Sequence, residues 1–439
     1  ANSIREDPRQ KGLLYAATDT QVWVSFDDGD HWQSLRLNMP AISVRDIAVK
    51  DDAKCMCADL VAGTHGRGYW ILDDVTPLRQ AAQIRAAEKA GAAYLVKPVT
   101  AVRVRFGMNP PTPWPPEVPA GQNPPPGAIL DYYLSADVAG PVKLEVLDTA
   151  GKIVRTYSST DPVPAVSPAL DPVAYNKICQ QTPSAPDCSL PLYWPAPPMV
   201  ISTRAGMHRV WWDMRYDPIG EGGGGRGGGG GAGAVPHRTY PSVNAPWAPP
   251  GSYTVRLTVD GKGYTQPITL RLDPRVTASP VALNQLASLT REMYEGARTA
   301  HAVYGQARAL VAELDKLSGD DITKFKAAVE AVAPAAAAGG GRGRGGGFGG
   351  GRGAGGRGGG GAAAAPTLQS VSSEMLSAAM AMQAAEAAPT AREVAACTAA
   401  RGASVKVMAQ WAKITTVDLP ALNQKRKAAG QPAIVLPKR

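Results

Sequence analysis

The sequence predicts a multidomain chain, β first and then α. The predicted parts are one or more partial β-propeller blades, an Ig/fibronectin-like β-sandwich and a C-terminal antiparallel helical bundle. Three observations predict this order. Residues 12–75 carry short apolar runs of five to seven residues, with turn signals every eight to twelve. A second group of such runs lies between 127 and 273. After DPRVTASP the apolar pattern changes to a period of 3.6.

In the first group LLYAATD, QVWVSF, HWQSL, VRDIAVK, CADLVAGTH and GYWILDD read as antiparallel strands. Their number suits one propeller blade and part of a neighbour. The blade region is placed at 1–78, followed by a connector and Pro-rich linker at 79–126. TPLRQAAQIRAAEKAGAAYLVK in that connector allows a short helix. GMNPPTPWPPEVPAGQNPPPG is extended, because proline fixes φ and removes a donor.

The sandwich is placed at 127–275, with AILDYYLSA, VKLEVLD, KIVRTYSS, GMHRVWWDM and GSYTVRLTVDGKGYTQPITLRLD as its strands. VDGKG is a hairpin signal. A Pro-rich insertion runs from about 160 to 200, and a Gly-rich one occupies 220–234. The helical part is placed at 279–439, opening on Ser279 as N-cap and Pro280 in the first turn. Its Gly/Arg insertion, 335–365, has too few apolar residues to offset the entropy of ordering, so both Gly-rich tracts are expected to be disordered loops.

The net charge of +9 is spread along the chain without a dense basic block, and it reads as a solubility property. No run of about 18 apolar residues predicts a membrane span. ANSIREDPRQKG has no apolar core and is not a signal peptide. A strand follows almost at once, which suggests the C-terminal portion of a longer protein. Of the five cysteines, Cys179 and Cys188 flank QQTPSAPD and are the candidate disulfide. Cys55 and Cys57 read as same-face residues of one strand, where a bridge would strain it. Those two and Cys397 read as small apolar fillers.

VSFDDGDHW supplies Ser25, Asp27, Gly29 and Trp32 in the pattern S-x-D-x-G-x-x-W, with His31 where threonine is usual. The pattern resembles the Asp-box, or BNR repeat, of sialidase-like and sortilin-like β-propellers. VAGTHGRGYWILDDVTPLRQ resembles the closing blade of large bacterial exported proteins of that type, and such proteins are often labelled glycosyl hydrolases. PPGAILDYYL, GMHRVWWDMRY and PGSYTVRLTVDGK resemble the sandwich that follows, and DLPALNQKRKAAGQPAI the terminal helix. The box is structural in those families: Ser25 and Asp27 bond turn backbone, Gly29 takes positive φ, and Trp32 returns to the core.

The resemblance implies a non-catalytic, exported binding or scaffolding protein, placed in the periplasm, on the cell surface or outside the cell. Its partners would be a protein or glycan ligand, with the remaining blades supplied by upstream sequence or a partner chain. Two alternatives stand beside it. One is a sialidase-like or other propeller glycoside hydrolase whose catalytic residues lie upstream or on another chain; the second is a subunit that completes a propeller in an assembly. A glycosidase needs two positioned carboxylates, and Asp73 and Asp74 fall where the last blade ends. No catalytic residue, cofactor or metal ligand is therefore assigned.

Candidate ligand-facing residues are His65 and Arg67 in THGRGYW, and Trp211 in HRVWWDMRYD. The blander reading of the first is a Gly-kinked strand entry whose Arg and His pair with neighbouring blades. For the second, period two places Val210 and Trp212 on one face and Trp211 and Asp213 on the other, so one Trp is core and the other covered. Arg342, Arg344, Arg352 and Arg357 around Phe348 look like a nucleic-acid-binding RGG segment, to which the other Gly-rich tract adds only Arg226. With one aromatic to several arginines, a Gly-rich surface insertion is the reading kept, without a nucleic-acid partner. Met375, Met380, Met382 and Met408 are read as core fillers.

Overall fold

The computed structural model describes residues 1–105, 124–125, 127–161, 171–181, 199–219, 245–335 and 365–438. Both Gly-rich tracts lie almost wholly outside them, as do the five arginines and Phe348 of the RGG-like reading. The chain forms two compact units, one built chiefly from 1–217 and 247–277, the other chiefly from 278 onward.

The first unit begins with two antiparallel sheets. Strands β1 (Ser3–Glu6), β2 (Leu14–Ala17), β3 (Val22–Ser25) and β4 (Gln33–Ser34) pair in chain order. Strands β5 (Val44–Asp52), β6 (Cys57–Thr64) and β7 (Tyr69–Leu72) form the second sheet. Alternation explains the burial. Tyr15 pairs with Val24 and Ala17 with Val22, so all four share one face. That face joins Ile47, Leu60 and Ala62 of the second sheet in one buried cluster. Helices α1 (Thr76–Arg79) and α2 (Ala81–Lys89) follow, in the segment expected to hold a short helix.

Two further sheets complete the unit. The three-stranded sheet has the order β13-β10-β8, from β13 (Gly206–Trp212), β10 (Ala128–Leu134) and β8 (Tyr94–Leu95). The five-stranded sheet has the order β12-β11-β14-β15-β9. Its members are β12 (Ile153–Ser158), β11 (Lys143–Leu147), β14 (Gly251–Val259), β15 (Lys262–Leu272) and β9 (Ala101–Arg103). Every strand expected here forms, and the predicted connector supplies two more, β8 and β9, the latter parallel to β15. Helix α3 (Pro172–Gln181) arises inside the predicted Pro-rich insertion. At the β14–β15 hairpin Asp260 and Gly261 both have positive φ, 47° and 77°, the conformation a two-residue turn between right-twisted strands requires.

Period two also sorts the tryptophans. Val210 and Trp212 are buried and Trp211 is half-buried. Trp212 meets Tyr253 edge-on at 5.2 Å, which links the two sheets through their cores. Backbone approaches closely here. A Cβ on Gly127 would lie 2.2 Å from the Trp212 carbonyl oxygen. Gly127→Ala must therefore push β10 away from β13. A loss of about 1–3 kcal/mol is expected, measured as faster amide exchange over Ala128–Leu134.

The second unit holds α4 (Pro280–Leu314), α5 (Asp320–Val332), α6 (Leu368–Ala381), α7 (Ala391–Lys413) and α8 (Leu419–Ala428). Ser279 caps α4 by accepting from the Ala282 amide at 3.3 Å. Reciprocal capping boxes start α6 (Thr367, Ser370) and α7 (Thr390, Glu393). A single π turn, Ile414–Asp418, joins α7 to α8. Small residues let α4 and α6 approach: a Cβ on Gly296 would meet the Met375 methyl at 2.3 Å, and Ser372 Oγ donates to the Ala297 carbonyl at 3.0 Å. Met375 and Met382 are buried, while Met380 and Met408 are half-buried. The chain end is strapped back by a reciprocal Asn423–Ile434 pair at 2.9 and 2.8 Å.

Candidate functional site

The VSFDDGDHW turn follows β3. Ser25 Oγ donates to Asp27 Oδ1 at 2.8 Å and accepts from the Gly29 amide at 2.9 Å. Asp27 Oδ1 accepts from the His31 amide at 2.9 Å, and Oδ2 sits 2.8 Å from His31 Nδ1. Asp28 and Gly29 take φ of 60° and 98°, the left-handed region that closes so tight a turn. The His31 amide is the main reason that the Asp27 carboxyl is held down at about 2, with the His31 ring and Ser25 adding to it. Trp32 corrects the sequence reading. It is half-buried and covers Gly29, and it is not part of the buried cluster.

A carboxylate so engaged is an organiser of backbone and holds no proton to donate near neutral pH. The sign of its pH effect follows. Its folded-state pKa lies below the ordinary 3.8. The turn is therefore stabilised above that value and loses this stabilisation as pH falls toward about 2. Exchange at the His31 and Gly29 amides is expected to accelerate over that window while the β2–β3 core stays protected. Asp27→Ala should show the same acceleration at neutral pH.

His65 and Arg67 lie at the tip of the β6–β7 hairpin, closed by Thr64, whose amide and Oγ1 donate to the Gly68 carbonyl at 3.1 and 2.7 Å. The segment is a hairpin turn, not a strand entry, and both side chains are exposed. Trp211 lies on β13, two residues from Arg209. Arg209 reaches the other end of β7, donating to the carbonyls of Asp73 at 2.6 Å and Asp74 at 3.0 Å. The four residues of β7, about 13 Å of extended chain, stand between that end and the His65–Arg67 tip. The three candidates are thus not brought to one point by any described contact.

Arg209 also forks onto Asp131, at 2.9 and 3.0 Å. Burial pushes the Asp131 carboxyl up, against the pull of Arg209. Asp73 is raised too, by burial first and then by the charge of Asp59. Asp74 accepts from the Thr76 amide at 3.0 Å at the start of α1. Arg209, bonded to the Asp73 and Asp74 carbonyls on one side and to the Asp131 carboxylate on the other, fastens the end of β7 to the three-stranded sheet.

One cluster escaped the sequence reading. The guanidinium groups of Arg103, Arg105 and Arg215 lie 5.6, 4.5 and 4.4 Å from the centre of the Trp247 ring. Arg103 also donates to the Ala248 carbonyl. Burial, with Arg105, Arg103 and Arg155 adding to it and Asp213 opposing, lowers Arg215 to about 10. The alternation in VRVRF was the available signal, since it puts Arg103 and Arg105 on one face. Trp247 is distant in sequence and carried none.

Cys55 and Cys57 are joined as a disulfide, contrary to expectation. The reason is local: Cys55 sits in the turn after β5, and only Cys57 is on a strand. Cys179 is disulfide-bonded, and its expected partner Cys188 lies outside the described residues. Cys397 is free and buried. Among the described residues, no group of three or more His, Cys, Asp or Glu is placed to hold a metal ion, and no helix is long and apolar enough to cross a membrane. In comparisons with known proteins, no family, curated protein or solved structure matches the chain.

Proposed function

We propose that the chain is part of an exported Asp-box β-propeller protein that binds or scaffolds a protein or glycan ligand and performs no catalysis. The observation that carries this reading is the turn at Ser25–Trp32. Its serine, aspartate and glycine organise backbone as an Asp-box requires, and Asp27 is thereby removed from acid–base chemistry. Sheet stacking supports it. Two consecutive antiparallel sheets share one core, and their other faces carry Ile4, Tyr69 and Ile71 at 52, 80 and 58% exposure. The disulfide-bonded cysteines suit an oxidising compartment.

The exposed Tyr69 and Ile71 favour a second reading within the same architecture, in which the chain is a subunit that completes a propeller with blades from a partner chain. One set of preparations tests both. Purified protein is expected to turn over no aryl glycoside and to bind an immobilised glycan or protein panel. His65→Ala/Arg67→Ala should weaken that binding about tenfold, or 1.4 kcal/mol, with an unchanged melting temperature. Glycoside turnover abolished by one carboxylate substitution would overturn the non-catalytic reading. Sedimentation as a well-folded monomer would overturn the assembly reading.

A further inference from the structure

We propose that the Cys55–Cys57 bridge is a thiol-exchange site, opened by dithiol reductants, and that it controls the attachment of the β5–β6 turn to β9 and β15. The loop it closes has a single residue, Met56, between the cysteines. Disulfide stabilisation grows with the length of the loop closed, so a loop this short restrains the unfolded chain very little. A role as a fold-wide staple therefore does not account for it.

The surroundings point to exchange. The bridge lies at the end of the hairpin, just past the last strand pair, Asp52 with Cys57. Met56 is held at φ 61°, a conformation costly for a residue with a side chain, and is 55% exposed. Cys55 is buried and Cys57 is partly exposed, so an incoming thiolate reaches the Cys57 sulfur first.

The same turn backbone carries two outward bonds. The Thr100 amide donates to the Cys55 carbonyl at 3.1 Å, and Arg271 Nη1 donates to the Lys54 carbonyl at 3.0 Å. Thr100 precedes β9, and Arg271 is paired with Val102 of β9. The bridge thus fixes the two carbonyls that hold this turn against β9 and β15.

The step balances with a dithiol. One reductant thiolate attacks Cys57 Sγ, the Cys55–Cys57 bond breaks, and Cys55 leaves as thiolate and takes up a proton. The second reductant thiol then displaces Cys57 and closes the reductant's own disulfide. Two electrons and two protons pass from the reductant to the cysteines. Without the bridge Met56 is free to leave the left-handed region, and both carbonyls lose their fixed direction.

The test treats the whole protein with dithiothreitol under native conditions, traps free thiols with N-ethylmaleimide and maps them by mass spectrometry. Cys55 and Cys57 should be labelled without denaturant. Exchange of the Thr100 amide should then accelerate about tenfold while β2 and β3 keep their protection. The Cys55→Ser/Cys57→Ser variant should match the reduced protein. A bridge reducible only after denaturation, cysteines already free before reduction, or unchanged Thr100 exchange once they are reduced would each overturn the proposal. If the double variant fails to fold, the reduction of the unaltered protein decides.

Discussion

Trp212→Ala is expected to remove about 3–5 kcal/mol of stability from the β unit. The side chain has no exposed surface. Its ring packs edge-on to Tyr253, and its indole nitrogen donates to the Arg215 carbonyl at 2.9 Å. Truncation removes the aromatic link between two sheets, leaves a cavity and deletes the indole's bond to that carbonyl. The neighbouring Trp211→Ala is the control. Trp211 is half-buried on the opposite face, so its loss is expected to cost about 1 kcal/mol or less. Amide exchange in β10 and β13 is the proper measure, because it reads this region apart from the helices. Exchange faster by about 10²–10³-fold for Trp212→Ala and only a few-fold for Trp211→Ala is expected. Equal effects would refute the assignment of faces.

That assignment was legible in the sequence, and the contrast shows what kind of information was. Local rules sufficed wherever the determining residues are neighbours. Ser25, Asp27 and Gly29 lie within five positions and specify their own turn. Asp260–Gly261 specifies a hairpin, and Ser279–Pro280 a helix start. What failed were contacts between residues far apart. Arg79 reaches Asp7 across 72 positions, Arg209 reaches Asp74 across 135 and Arg103 reaches Ala248 across 145. No periodicity encodes those pairings. Trp32 was misplaced for a related reason: the motif fixes that it covers the turn, while whether the turn lies over the core depends on the second sheet. Cys55 and Cys57 were misread because both were placed on one strand, whereas Cys55 lies in the turn Ala53–Met56, for which the polar Asp51–Lys54 lead-in was the available signal.

The Asp7 network is the long-range feature with the sharpest consequence. Its carboxylate is fully buried and receives Arg79 Nε at 3.1 and 3.0 Å. It also accepts from the Arg9 and Gln10 amides at 2.9 and 3.1 Å, and from the Tyr15 hydroxyl at 3.4 Å. Burial first, and the Asp7 charge second, raise the Tyr15 pKa, so its hydroxyl remains a donor. Arg79 belongs to α1, so this one carboxylate ties the connector helix to the β1–β2 loop. Asp7→Ala leaves a buried guanidinium and three other donors without their acceptor. A loss of about 3–5 kcal/mol is expected. Asp7→Asn keeps an oxygen for the two amides and removes the charge, so about 1–3 kcal/mol is expected. Arg79→Met distinguishes a true ion pair from two separate roles. Added to Asp7→Asn, it removes a cation that no longer has a full partner, and the double variant should be more stable than the sum of the single losses predicts. A coupling of about 1–3 kcal/mol, read from exchange in β2 and β5, is the expected result. Strict additivity would mean that Asp7 acts only as a backbone acceptor and that Arg79 is held through Asp51, its other partner at 3.3 Å.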